Sequence, residues 1–98
     1  MTIGINKDGE KLVISPEGRI DAVTANEFSE AIEKNIEGVK DLTFDLAGLD
    51  YISSAGLRVL LTTQKNMSKV GSMKLINVAD VIMDVFNITG FSDILTIE

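Results

Sequence analysis

Cysteine and histidine are both absent from this 98-residue sequence, and proline occurs once. Without cysteine there can be neither disulfides nor thiolate metal sites, and without histidine no imidazole can serve as ligand, general base or activator of a nucleophile. Positive charge is scarce as well. Nine Lys and Arg residues stand against 15 Asp and Glu, giving a net charge of -6 and an isoelectric point near 4.5. A nucleic-acid backbone or an anionic membrane would repel such a chain, so no direct nucleic-acid partner is expected. Long apolar runs are missing too: none approaches the ~20 residues that span a bilayer. The start, "MTIGINKDGEKL", carries no basic segment followed by an apolar one, so the expectation is a cytoplasmic protein with no membrane insertion.

What is present is ordinary globular composition, 45% hydrophobic and 24% charged, enough for one core and too little for two. One domain over residues 1–98 is expected. "TIGIN" alternates, Asp8-Gly9 supplies a turn, and "KLVISPEGRI" resumes an apolar strand pattern, which reads as a hairpin; Pro16 and Gly18 mark an edge segment or a bulge in its second arm. Thr24 followed by Glu27 fits a capping box, and Ala25, Phe28, Ile32 and Ile36 then recur at helical spacing as far as Gly38. The opposite face, with Glu30, Glu33, Lys34 and Glu37, reads as solvated. "DLTFDLAGL" from Asp41 reads as one strand at the sheet centre. Leu57, Leu60, Leu61 and Met67, with Val59, define a second helix ended by Gly71. "MKLIN" is a strand, Asn77 a cap for a third helix carrying Val78, Val81, Ile82, Val85 and Phe86, and "DILTIE" a final strand. The order ββαβαβαβ predicts an α/β fold, a mostly parallel sheet with an N-terminal antiparallel hairpin and right-handed crossovers.

Parallel strands launch their helices from one edge of the sheet, so the segments Arg19 to Thr24, Leu49 to Gly56 and Asn77 to Asp80 should gather there, with Asp21, Ser54 and Asn77 as neighbours. Each has a bland explanation. Ser53 or Ser54 can be an N-cap worth ~1 kcal/mol, and Asp21 an acid placed favourably near a helix start. Gly56 is harder to dismiss, because glycine in a first helical turn costs up to ~1 kcal/mol relative to alanine. Either a partner approaches closely there, or the helix packs tightly on a strand. Catalysis finds no support: "ISSAG" is not the G-x-S-x-G elbow, no histidine can take the serine proton, and neither "DGEK" nor "AGLR" has P-loop spacing.

Over essentially its whole length the chain resembles a STAS domain, and within that family a bacterial anti-sigma factor antagonist. "GRIDAVTANEFSEAI" is similar to the family's segment from second strand to first helix, "DLTFDLAGLDYISSAGLRVLL" to its most diagnostic stretch, and "MKLINVADVIMDVFNITGFSDILTI" to its C-terminal part. The resemblance implies that Ser54, two positions before the glycine of the motif, is phosphorylated; that Ser53 stands where the family often has aspartate; and that Asp21 matches the aspartate after the second strand. It further implies a docking surface of Asp21, Thr24, Ser53, Ser54, Ala55, Gly56 and Arg58, and no cofactor. Its partners would be an anti-sigma factor that is also a serine kinase, bound by the unphosphorylated form so that the sigma factor is freed, and a PP2C-type phosphatase. The protein itself would be a monomer or weak dimer and not an enzyme. The final helix of many relatives is absent or very short here, which implies one less-covered sheet face. A stand-alone STAS subunit of an ABC lipid transporter is the alternative reading, and an NTP-binding domain a third.

Overall fold

A computed structural model of the chain describes residues 1–98. The N-terminal hairpin pairs β1 (Thr2–Asp8) antiparallel with β2 (Lys11–Ile20). Its turn places Gly9 at φ 62°, a left-handed value natural for glycine. After β2 come α1 (Ala25–Asn35), β3 (Asp41–Asp45), β4 (Leu49–Ile52), α2 (Ser54–Met67), β5 (Ser72–Ile76), α3 (Asp80–Thr89) and a short 3-10 turn at Phe91–Asp93. The sheet order is β1-β2-β3-β5, with β4 paired to β2. Every pairing except the hairpin is parallel, as the alternation of strands and helices predicts.

One sheet face makes the core. Leu12 and Ile14 of β2 lie beside Leu42 and Phe44 of β3, which in turn lie beside Met73 and Leu75 of β5, and all six are buried. Phe28 of α1 packs its ring 5.6 Å from that of Phe44, at an interplanar angle of 57°, a tilted contact worth ~0.5–1.5 kcal/mol beyond the burial itself. The alternate positions Val13, Ser15, Lys74 and Ile76 are only half-buried, so the second face is the less covered one. No helix is long and apolar enough to cross a membrane.

Several boundaries differ from the sequence expectation, each for a local reason. The expected strand from Asp41 to Leu49 is broken in two, because the Asp45 carboxylate accepts the Ala47 N–H (3.1 Å) and turns the chain, while the Leu49 N–H closes on the Leu46 carbonyl (3.1 Å). Pro16 and Gly18 do mark a bulge: Gly18 has φ 89°, and the register shifts between Gly18 and Arg19 where β2 takes β4 as its partner. "DILTIE" keeps only one bridge, Leu75 with Ile97. In α3, Val81 lies 58% exposed while Ile82 and Phe86 are buried, so the apolar stripe is narrower than its spacing suggests.

Gly71 is not a left-handed C-cap. Helix α2 is followed by Ser68 as its C-cap, in a right-handed conformation, and Gly71 is required because a Cβ there would meet the Lys40 carbonyl. Backbone cannot yield as a side-chain tip can, so Gly71→Ala is expected to destabilise the fold by about 2–3 kcal/mol, measured as a lower urea midpoint with unchanged slope. An unchanged midpoint would contradict this account of the α2–β5 junction.

Candidate functional site

Two strand ends, those of β2 and β4, meet at the carboxyl rim of the sheet. Arg19 pairs with Tyr51 and Ile20 with Ile52, and the Ser53 N–H donates to the Ile20 carbonyl at 2.8 Å. The residues that follow each strand, Asp21 and Ser53, are thus neighbours although 32 positions apart in the chain.

At the first of these junctions the Asp21 carboxylate accepts hydrogen bonds from the backbone N–H groups of Val23 and Thr24, both at 2.9 Å. The Thr24 hydroxyl accepts from the Asp21 N–H at 2.9 Å and donates to the Arg19 carbonyl at 2.8 Å, with the Asp21 carboxylate 3.2 Å away. Thr24 therefore does not act as the capping-box residue: it caps no N–H of α1, because Asp21, three residues earlier, bends the loop and ties the hydroxyl into it. The Thr24 amide is the largest influence holding the Asp21 carboxyl below the usual aspartate value of 3.8; desolvation opposes it, and the Val23 amide, the Thr24 hydroxyl and the Arg19 charge add to the lowering. Arg19 is itself held in place, its guanidinium carbon 4.2 Å from the centroid of the Tyr51 ring. The loop so fixed presents Val23 with 83% of its surface exposed.

At the second junction the two serines divide the work. Ser53 is the N-cap: its backbone is extended (φ -89°, ψ 174°) and its hydroxyl accepts from the Gly56 N–H. At 3.4 Å this bond is long, so its contribution falls toward the low end of the ~0.5–2 kcal/mol range for caps. Ser54 is the first residue of the helix; its side chain is exposed, and its hydroxyl enters none of the hydrogen bonds of the fold. Ala55 beside it is half-buried and Arg58, one turn on, is exposed.

Gly56 is buried, and the packing explanation accounts for it. A Cβ at this position would lie 2.6 Å from Ile20 Cγ2 and 2.7 Å from Ile52 Cγ1. The bare backbone lets α2 rest on the ends of β2 and β4, which directs Ser54 outward. Asn77 departs from expectation more fully. It adopts φ 56° and donates from its amide to the Asp45 carboxylate at 3.0 Å, while α3 starts after Ala79 with no side-chain cap. Asn77 thus ties the end of β5 to the Asp45 turn and does not cap α3. The sequence places Arg19 and Tyr51 in the two edge segments but does not single them out, since their pairing depends on the register shift at Gly18. Alongside the site, residues of α1 and α2 line an open groove of about 370 Å³, to which Ala22, Ala25, Ala55 and Val59 contribute apolar surface, Arg58 the single cation and Glu33 the single carboxylate.

The sequence matches the family model described as STAS domain over residues 2–98. This chain belongs to the STAS domain family. It is 30% identical over 99 residues to the anti-sigma-B factor antagonist of Bacillus subtilis, covering 100% of this chain and 91% of that one. Its fold is similar to the unphosphorylated anti-sigma factor antagonist SpoIIAA, with TM-score 0.84, 19% identity and coverage of 99% and 88% of the two chains. It is also similar to the phosphorylated form of the Bacillus cell fate determinant SpoIIAA, with TM-score 0.76, 19% identity and coverage of 99% and 91%. The STAS fold expected from the sequence is therefore the observed one.

The lowered pKa of Asp21 has a consequence of definite sign. A carboxyl whose folded pKa lies below its unfolded value contributes stability above the unfolded value, and that stability is lost as pH falls through the folded one. The difference in urea midpoint between the wild type and Asp21→Asn should therefore be present at pH 7 and close as the pH falls below the ordinary value of 3.8. A carboxyl NMR titration of Asp21 with its midpoint at or above that value would contradict the assignment.

Proposed function

We propose that this STAS domain is an anti-sigma factor antagonist switched by phosphorylation of Ser54. In its unphosphorylated form it docks on an anti-sigma factor that is also a serine kinase, and the sigma factor held by that partner is freed for RNA polymerase. The kinase then transfers a phosphoryl group. Ser54 Oγ attacks the γ-phosphorus of ATP, the bond to the ADP oxygen breaks, and the hydroxyl proton passes to a base of the kinase. A PP2C-type phosphatase returns the hydroxyl by adding water and releasing phosphate. The domain acts by binding and supplies no catalytic group of its own, and its place is the cytoplasm.

The observation that carries this reading is the division between adjacent serines: Ser53 is engaged as the helix cap, while Ser54 is exposed with its hydroxyl free of the fold. A phosphate there adds roughly -1.5 to -2 charges beside the unpaired N–H groups of the first turn of α2, where the helix dipole favours an anion. The domain can therefore carry the phosphate without unfolding. A partner surface built around a neutral hydroxyl cannot accept it equally well, because the dianion must lose water and sit near Asp21. A mismatch of ~3–4 kcal/mol weakens binding by a factor in the hundreds. The resemblance of the fold to SpoIIAA, known in both unphosphorylated and phosphorylated forms, supports the same reading.

Incubation with the cognate kinase and ATP, followed by peptide mapping, tests the site. One phosphate is expected on Ser54, with none acquired by Ser54→Ala. Modification of Ser53, Ser15 or Thr24 while Ser54 stays free would overturn the assignment.

A further inference from the structure

If Ser54 carries a phosphate, the surroundings of that phosphate matter, and one side chain in them has no task in the unmodified fold. Arg58 is exposed, and the ion pairs of the protein are Met1 with Glu27, Lys40 with Glu10 and Lys74 with Glu98. Arg58 joins none of them, despite 15 acidic residues in the chain. It also makes no side-chain hydrogen bond to the α1 residues across the groove that it lines. Its place on α2 is four residues after Ser54, so the two share a helix face. Side chains on a helix lean toward its N-terminus, which carries a long arginine from position 58 back over the turn that begins at Ser54. An anion at i with a cation at i+4 is the favourable polarity for such a pair.

We propose that Arg58 is the internal counter-ion of phosphorylated Ser54, an inference that rests on the phosphorylation reading above. In the unmodified domain the guanidinium belongs to a groove lining that also holds Glu33 of α1, makes no ion pair with it, and is available to a carboxylate of the docking partner. When Ser54 acquires its phosphate, Arg58 folds back onto the new dianion, which it can bind through two parallel N–H···O bonds. Phosphorylation then changes the docking surface twice, adding negative charge at Ser54 and withdrawing positive charge from the groove. A single phosphoryl transfer thereby reverses the electrostatic character of the helix face, while Asp21, bound by its own loop amides, stays where it was.

The test uses the full chain with phosphoserine incorporated at position 54 during synthesis, so that no kinase is required. The second ionisation of the phosphate is followed by phosphorus NMR at low ionic strength in the wild type, Arg58→Gln and Arg58→Lys. Arg58 should hold that ionisation lower than it lies in Arg58→Gln by about 0.3 pH unit or more. The Lys variant should keep part of the difference, and added salt should shrink it. Coincident titration curves for the wild type and Arg58→Gln would overturn the proposal. Because the phosphate is installed synthetically, a kinase that leaves Ser54 unmodified would count against the phosphorylation reading and leave this result standing. Superimposable circular dichroism spectra of the three proteins are expected, since the side chain is exposed and unpaired; a refolded or unfolded Gln variant would itself contradict the peripheral role assigned to Arg58.

Discussion

The contact on which the site depends is the seating of Gly56 against Ile20 and Ile52. Those two isoleucines end neighbouring parallel strands, and a glycine at the first turn of α2 lets the helix backbone come to rest on both. The hydrogen bond from the Ser53 N–H to the Ile20 carbonyl, at 2.8 Å, locks the same corner. With the helix start so placed, Ser53 is spent on capping and Ser54 is turned to solvent. The helix-propensity cost of glycine, up to ~1 kcal/mol, is offset by a close approach that alanine would obstruct. What looks like a broken local rule is satisfied by tertiary packing.

Electrostatics at this corner are arranged so that one group is free to change. The Asp21 carboxylate is committed to two amides and the Thr24 hydroxyl, and Arg19 to the ring of Tyr51. Their charges are therefore fixed features of the surface. The Ser54 hydroxyl has no such commitment, and a charge added there meets unpaired helical amides within its own domain. Tolerance by the fold together with intolerance by a partner is what a binding switch needs, since a modification that unfolded the domain could not be cheaply reversed.

Much of this was readable in the residues. The hairpin, the helical periodicities and the parallel sheet follow from alternation, spacing and turn chemistry; Pro16 and Gly18 signal an edge segment or a bulge, and the register shift decides for the bulge. The stretch from Asp45 to Leu57 places a helix start at the two serines, and α2 begins at Ser54. Where reading failed, a contact distant in sequence displaced a local rule. Thr24 and Glu27 fit a capping box, yet Asp21 takes the loop amides. Asn77 fits a helix cap, yet its side chain reaches Asp45, 32 positions away. Gly71 fits a left-handed cap, yet the Lys40 carbonyl is what excludes a side chain. "DILTIE" has strand propensity, but pairing is set by partners, and Leu75 alone accepts it. The choice between Ser53 and Ser54 as the cap could not be made from composition or spacing, because either hydroxyl suits the position; the extended backbone of Ser53 decides it.

The central claim is that charge at residue 54 governs docking while the fold is left intact. Capture of the anti-sigma factor by immobilised wild type, Ser54→Ala and Ser54→Asp, with thermal unfolding of all three, tests it most directly. The account expects Ala to retain the partner, Asp to lose it, and the three unfolding temperatures to agree closely. Equal capture by Ala and Asp would contradict it, as would loss of binding that merely tracks loss of folding.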